Sequence, residues 1–382
     1  MTHDKKTHSS HVLVLQGGGA LGSYQAGGFE ALSQVGYYPD YVAGVSIGAI
    51  NAALIAGNTP ENATQRLREF WTHVSSSNPL GHLFAKALQS VVPREWLNAV
   101  SAGGVALAGI PGFFTPRMPP PFLYPSGSSQ GLSFYDTAPL RETLLRLVDF
   151  DRINRREVRL AVGAVNVRTG NLVYFDNHKQ DIGPEHIMAS GALPPGFPPV
   201  EIDGEMYWDG GIVSNTPLQY VLDDHDPHAD TVVFQFDLFS ARGDVPRGIF
   251  DSESREKDIR FSSRTRYTTD RVAELLRLRN AFQRLYDKLP ADLQKSRDTR
   301  LLMEAVHPGR MAIVHLIYRQ ASHELNSKDY EFSRLTAEDH WKAGIADVER
   351  TLAHRDWIER QSARDDLVII DAAREFDLEE SR

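Results

Sequence analysis

The chain has 382 residues, of which 41% are apolar and 24% charged, enough to bury the core of one large domain with an appendage. Its formal net charge of -9 argues against broad nucleic-acid binding, which requires a basic surface. The sequence has no cysteine, which excludes disulfides, a thiolate nucleophile and a cysteine-ligated metal site.

The first part of the sequence alternates strand and helix patterns. After a flexible N-terminus over residues 1–10, His11–Gln16 is predicted to be a buried strand and Leu21–Val35 a helix. Tyr41–Val45 is predicted to be a second strand, and Ile47–Ala56 a helix of small apolar residues at the domain centre. This order predicts an α/β fold with a mostly parallel sheet covered by helices on both faces.

The middle of the chain is less regular. Helical segments follow Pro60 and lead into Val100–Gly131, which is crowded with Gly, Pro and aromatic residues and predicts no regular core element. Strand patterns resume beyond it at Val158–Asn166, Asn171–Phe175, Met206–Trp208 and Thr231–Leu238.

The last third changes character. Thr265–Leu289 and Arg334–Arg360 have charged, amphipathic helical patterns on either side of one strand-like segment, Met311–Tyr318. We therefore predict an α/β domain over residues 11–240, with residues 100–131 as an insert suited to form a lid. A mainly helical extension is expected over residues 241–382.

A G-x-S-x-G sequence, Gly44-Val45-Ser46-Ile47-Gly48, lies at the predicted end of a strand and the start of a helix. A serine on such a turn stands clear of the sheet, and the flanking glycines let the backbone turn without Cβ clashes. This pattern is typical of a nucleophile elbow. An ordinary glycine-rich turn between strand and helix is the alternative.

Three glycines, Gly17-Gly18-Gly19, follow the first strand and precede a helix. Their N–H groups are unhindered by side chains and suit an anion or a developing oxyanion. With Gly22 they also satisfy G-x-G-x-x-G, the dinucleotide-binding pattern. That pattern needs an acidic residue after the second strand, whereas Asp40 precedes the strand, so the dinucleotide hypothesis is the weaker one.

The third motif, Asp209-Gly210-Gly211, follows a short strand-like segment. An aspartate before two glycines can lie on a tight turn with room for a substrate beside it, although Asp-Gly alone is usually just a hairpin turn. A stiff segment, ASGALPPGFPPV over residues 189–200, is predicted to form a wall of the site or a structural linker.

Together these blocks resemble the patatin-like phospholipase family over about residues 12–238: QGGGALGSYQAG, GVSIGAINAA, ASGALPPGFPPV and WDGGIVSNTPL. The resemblance implies a three-layer α/β/α fold and a Ser-Asp dyad, with Ser46 as nucleophile and Asp209 as base. It implies an oxyanion hole at Gly17, Gly18 and Gly19, with no cofactor and no metal. The sequence departs from many relatives at Leu21, where they have Arg or Lys.

The expected function is hydrolysis of a lipid acyl ester, of the phospholipase A or lysophospholipase type. Short acyl or hydroxyalkanoate esters are the alternative substrates, because the chemistry is the same and only the pocket differs.

No histidine is assigned a role, and the segment containing His225 and His228 is interpreted as a solvated loop rather than a metal site. No secretory signal is evident, so a cytoplasmic location is expected, with peripheral contact at the membrane surface left open. The oligomeric state does not follow from the sequence.

Overall fold

The structure, a computed structural model, describes residues 10–76, 108–125, 127–224, 230–304, 311–319, 329–354 and 367–371. Several predictions lie partly or wholly outside these ranges. They are the flexible N-terminus, the helical segments predicted beyond Pro60 where they cover residues 77–99, the first part of the insert at residues 100–107, the loop with His225 and His228, and the end of the last predicted helix at residues 355–360.

A mixed sheet of nine strands forms the centre of the described structure, in the order β11-β10-β9-β1-β2-β5-β8-β7, with β6 also paired to β5. Strands β3 and β4 form a separate two-stranded ladder. The strands are β1 (Ser10–Leu15), β2 (Tyr41–Val45), β3 (Thr115–Pro116), β4 (Tyr135–Asp136), β5 (Arg159–Asn166), β6 (Leu172–Asp176), β7 (Val200–Ile202), β8 (Glu205–Asp209), β9 (Thr231–Asp237), β10 (Met311–Ile317) and β11 (Leu367–Asp371).

The described helices are α1 (Gly22–Gln34), α2 (Ile47–Ala56), α3 (Pro60–Val74), α4 (Ala138–Leu147), α5 (Phe150–Asn154), α6 (Pro184–Ser190), α7 (Leu218–Asp223), α8 (Ile249–Tyr286), α9 (Ala291–Gln294), α10 (Arg297–Glu304) and α11 (Arg334–Ala353). The predicted helix over residues 265–289 is therefore the second half of α8, which begins sixteen residues earlier. No helix in the described ranges is long and apolar enough to cross a membrane.

Both faces of the sheet are buried, because successive side chains of a strand point to opposite faces. Leu13 and Leu15 of β1 pack in the same core as α1, α2 and α3. Val12 and Val14 belong to a second core on the other face, which Leu218 of α7 helps to close. Six strands (β1, β2, β5, β9, β10 and β11) are joined by parallel pairing. The predicted mostly parallel, three-layer α/β fold is confirmed.

The C-terminal third contributes to this core. Strands β10 and β11 extend the sheet beyond β9, and α11 packs closely against α1. The approach is tight: a Cβ on Gly27 would lie 2.0 Å from the Trp341 carbonyl oxygen, and a Cβ on Gly344 would lie 2.0 Å from the Tyr24 carbonyl oxygen. The expected boundary near residue 240 remains a prediction, but residues beyond it are part of the same sheet.

The described part of the insert, residues 108–125 and 127–131, contains a two-residue strand, a β-bridge between Ile110 and Phe114, and short 3-10 turns. Its aromatic residues serve two different purposes. Phe113 and Phe114 are buried in the core, whereas Phe122 is exposed. The lid hypothesis thus does not apply to Phe113 and Phe114, because these two rings anchor the insert.

Candidate active site

Ser46 lies at the sharp turn between β2 and α2, with φ of 57° and ψ of −124°. L-residues rarely adopt positive φ, so the surrounding fold must hold this conformation. The two glycines of the motif are required sterically. A Cβ on Gly44 would lie 2.3 Å from the Gly48 carbonyl oxygen, and a Cβ on Gly48 would lie 2.3 Å from the Leu15 carbonyl oxygen. The turn places Ser46 at the carboxyl edge of the sheet, at the N-terminus of α2.

Asp209 reaches Ser46 because both strands that carry them pair with β5. Strand β2 runs parallel to β5 and ends with Val45 opposite Gly163. Strand β8 pairs antiparallel with the same edge of β5, beyond the point where β2 ends. The last residue of β8, Asp209, lies opposite Ala164. Ser46, which follows Val45, and Asp209, at the end of β8, are therefore brought together by neighbouring residues of β5.

The Ser46 hydroxyl lies near enough to the Asp209 carboxyl to influence its pKa. Asp209 is 2% exposed, and its Oδ1 accepts the N–H of Gly211 at 2.7 Å. Burial raises the pKa of Asp209 to about 6, while the neighbouring Ser46 hydroxyl and the Gly211 N–H oppose that rise. A carboxylate in a dry site is a stronger base than one in water.

Ser190, at the end of α6, holds the backbone of the nucleophile turn. The N–H of Ser46 donates to Ser190 Oγ at 3.0 Å, and that hydroxyl donates to the Gly163 carbonyl oxygen at 2.6 Å. Two residues further on, the Ala192 carbonyl accepts the N–H of Asp209 at 3.0 Å. The small-residue segment that begins at residue 189 thus contacts both Ser46 and Asp209, as expected for a wall of the site. The sequence did not predict the role of Ser190.

The glycine loop after β1 lies beside Ser46, since a Cβ on Gly17 would be 3.0 Å from Ser46 Cβ. Its three amides are not equivalent. The N–H of Gly17 donates to the Asn215 carbonyl oxygen at 3.1 Å, and Asn215 Nδ2 donates back to the Gly17 carbonyl at 2.9 Å. Within the described ranges, the N–H groups of Gly18 and Gly19 have no acceptor. Of the three amides predicted to form the oxyanion hole, that of Gly17 is therefore engaged by Asn215, whereas those of Gly18 and Gly19 have no partner among the described residues.

A buried network of polar side chains ties this loop to the helices behind it. Gln25 Nε2 donates to the Gln16 carbonyl at 2.7 Å, and Asn51 Nδ2 donates to Gln25 Oε1 at 2.9 Å. Trp71 Nε1 donates to Asn51 Oδ1 at 3.1 Å, while the N–H of Leu238 donates to Gln16 Oε1 at 2.6 Å. The sequence did not predict this network, although Gln16, Gln25 and Asn51 all lie in or beside the recognised blocks.

The C-terminal third also contacts the loop. The N–H of Ala20 donates to the Asp329 carbonyl at 2.9 Å, and Gly19 has φ of +55°, with a would-be Cβ only 2.1 Å from that same oxygen. Lys257 on α8 binds the Asp329 carboxylate, with Nζ–O distances of 2.9 and 3.1 Å. Tyr330 follows, and 52% of its side chain is exposed.

Other predicted features lie away from this centre. Asp40 lies at the amino end of β2, where its Oδ2 accepts the N–H of His11 at 2.8 Å, so it is not placed to hold a ribose at the carboxyl edge. Leu21, where the family resemblance implied Arg or Lys, is fully buried in the core. Nδ1 of His186 accepts the N–H of Gly183 at 2.9 Å, and Nδ1 of His315 lies 3.6 Å from Oδ2 of Asp237.

Two sequence models of protein families match this chain. A sequence model described as patatin-like phospholipase matches residues 13–222, and a second, described as patatin phospholipase, matches residues 259–364. No curated protein gives a significant match by sequence.

Among solved structures, the chain is similar to VipD from Legionella pneumophila, at 15% identity over 88% of this chain and 67% of that chain, with a TM-score of 0.33. It is also similar to the structure of ExoU in complex with SpcU from Pseudomonas aeruginosa, at 18% identity over 70% of this chain and 52% of that chain, with a TM-score of 0.27. The chain therefore spans about half the length of that protein. Since the first family match covers more than half of this sequence, the chain belongs to the patatin-like phospholipase family and is a lipid ester hydrolase.

Proposed function

We propose that Ser46 and Asp209 are the catalytic dyad of this lipid acyl hydrolase, and that a glycerophospholipid or lysophospholipid acyl ester is its substrate. The observation that carries the proposal is the position of the Ser46 hydroxyl beside a carboxylate that is 2% exposed, near enough to lower its pKa. A serine hydroxyl needs a base within hydrogen-bond reach to act as a nucleophile at neutral pH.

In the first half-reaction, Ser46 Oγ attacks the ester carbonyl carbon while Asp209 accepts the hydroxyl proton. The carbonyl oxygen becomes an oxyanion, which the N–H groups of Gly18 and Gly19 are free to bind. Collapse of the tetrahedral intermediate breaks the ester bond, and Asp209 returns the proton to the departing alcohol oxygen. The acyl group is left on Ser46.

In the second half-reaction, a water molecule attacks the acyl-serine as Asp209 takes its proton. The second oxyanion occupies the same amides, and collapse releases the fatty acid and restores the Ser46 hydroxyl. The raised pKa of Asp209 matters in both steps, because a base with a pKa of about 6 is better matched to proton transfer near neutral pH than an ordinary aspartate.

The test is hydrolysis of a monomeric nitrophenyl ester and of phosphatidylcholine and lysophosphatidylcholine by four variants. Ser46→Ala and Asp209→Asn are expected to lower kcat/KM by about a thousandfold or more. The matched controls are Ser76→Ala, two residues beyond the end of α3, and Asp203→Asn in the β7–β8 turn; both residues are exposed, and both variants should retain wild-type rates. Retention of more than a tenth of the activity in either dyad variant would overturn the assignment. The ratio of rates on phospholipid, lysophospholipid and short-chain ester tests the substrate class.

A further inference from the structure

The loop between β3 and β4, described over residues 118–125 and 127–134, presents several apolar side chains to solvent. Five of them are 49% to 82% exposed: Met118, Phe122, Leu123, Leu132 and Phe134. No residue in this segment is charged, although 24% of the whole chain is. Loops that face only water are normally polar, and clustered exposed apolar residues mark contact surfaces.

This loop is braced from within. The N–H of Arg117 donates to the Phe134 carbonyl at 2.9 Å, and Arg117 Nε donates to Ser133 Oγ at 3.0 Å, so the two ends of the loop are fastened together. Inside it, the N–H of Leu123 donates to the Pro120 carbonyl at 3.0 Å. The buried rings of Phe113 and Phe114 anchor the segment just before β3. The apolar side chains are therefore held outward by a supported backbone.

The same loop is joined to the wall of the active site. The N–H groups of Phe134 and Tyr135 donate to the carbonyls of Pro195 and Gly196 at 3.1 and 3.0 Å. That segment follows directly from Ala192, whose carbonyl accepts the N–H of Asp209. Leu193, between these contacts, is itself 38% exposed. The apolar surface is thus separated from the proposed base by only a few residues of one rigid segment.

We propose that residues 118–134 dock the enzyme on the surface of a lipid bilayer, with Phe122, Leu123 and their exposed apolar neighbours inserted among the acyl chains. The inference rests on the proposed function, because a long-chain acyl ester is presented to the enzyme at a bilayer surface. Insertion of aromatic and aliphatic side chains removes apolar area from water and needs no charge on the lipid.

The charge distribution selects the kind of membrane. With no basic residue in the loop and a net charge of -9 on the chain, attraction to anionic headgroups does not drive this contact. Binding is therefore strongest on zwitterionic phosphatidylcholine vesicles and nearly independent of salt. Addition of anionic phosphatidylglycerol weakens it, and this weakening is relieved at high ionic strength.

The experiment measures co-sedimentation of the full chain with phosphatidylcholine vesicles in a Ser46→Ala background, so that hydrolysis does not alter the vesicles. The loop variant Phe122→Ser/Leu123→Ser is compared with Leu278→Ser/Leu285→Ser, which removes two exposed leucines from α8. The loop variant should lose about tenfold or more of its vesicle partitioning. The α8 variant should stay within about twofold of the parent, and so should the parent when NaCl is raised from low to high concentration.

A second measurement separates this proposal from the dyad. With Ser46 restored, the loop variant should hydrolyse a monomeric nitrophenyl ester at the wild-type rate, which also shows that it folds, while its hydrolysis of vesicle phospholipid falls. Vesicle binding that is unaffected by the loop substitutions, or absent in the parent protein, would overturn the docking proposal and leave the dyad untouched. Conversely, an ester hydrolase activity that survives Ser46→Ala would overturn the dyad without affecting the binding result.

Discussion

Asp209 should lower the stability of the fold at the pH at which it works. Its carboxyl is 2% exposed, and burial raises its pKa from the ordinary value of 3.8 to about 6. The folded protein therefore holds this proton more tightly than the unfolded chain does. Replacement by Asn removes the charge, keeps the shape, and retains a side-chain oxygen that can accept the N–H of Gly211.

The size of the effect follows from the pKa difference. One pKa unit is worth about 1.4 kcal/mol, so a change from 3.8 to about 6 corresponds to about 3 kcal/mol. Because the folded pKa is the higher one, the stabilising contribution of the neutral carboxyl is fully present below about pH 3.8. It is lost as the pH rises through about 6. At pH 8 the Asp209→Asn variant should exceed the wild type in free energy of unfolding by about 1 to 3 kcal/mol, and near pH 4 the two should be nearly equal.

Urea denaturation of both proteins at pH 8, pH 6 and pH 4 measures this difference. The exposed Asp203→Asn substitution serves as the control and should show no comparable gain at pH 8. A variant that is no more stable than the wild type at pH 8, or that differs from it equally at all three pH values, would refute the electrostatic reasoning. The same variant should be nearly inactive, so stability and catalysis oppose each other at this residue.

Three further predictions concern the same centre. For a neutral ester, kcat/KM should fall about tenfold per pH unit below about pH 6 and level off above it, as measured in a pH-rate profile; a profile that stays flat down to pH 4.5 would exclude Asp209 as the base. Ser190→Ala leaves the Ser46 N–H and the Gly163 carbonyl without their partner, so the free energy of unfolding measured by urea denaturation should fall by about 1 to 3 kcal/mol. The same substitution should lower kcat more than it changes KM. An unaltered kcat would show that this hydroxyl does not position the nucleophile. Gly19→Ala forces a methyl to within 2.1 Å of the Asp329 carbonyl oxygen and should lower kcat/KM about a hundredfold or more. The control is Gly204→Ala, because Gly204 also has a positive φ, of +79°, but has open space around it. This control should lower the free energy of unfolding by only about 1 kcal/mol and leave the activity unchanged.

The sequence predicted the fold class because its strongest signals are local. The apolar segment before Gly17, the small apolar helix after Ser46 and their order are features of neighbouring residues, and the structure confirms the strand and helix at each. Short motifs also indicated which loops lie at the carboxyl edge of a parallel sheet. The family resemblance, which the comparison confirms, made Asp209 a candidate although Asp-Gly alone is a weak signal.

What the sequence could not supply is the set of contacts between distant segments. The meeting of Ser46 with Asp209 depends on β8 taking the edge of β5 that β2 leaves free, and strand order is not encoded in any single motif. The hydrogen bonds that join the N–H and carbonyl of Gly17 to Asn215 depend on a contact across 198 residues. The extension was predicted to be mainly helical around one strand-like segment, Met311–Tyr318, and that segment is β10. The sequence did not show that β10 and β11 extend the main sheet beyond β9, because a strand buried on both faces shows no periodicity that reveals its neighbours.

The most direct test of the account is to locate the covalent adduct formed by a fluorophosphonate lipid analogue, by peptide mass spectrometry of the full chain. The account predicts one adduct on the peptide that contains Ser46, absent from Ser46→Ala and formed much more slowly in Asp209→Asn. An adduct on another residue, or labelling of Ser46→Ala at the wild-type rate, would contradict it.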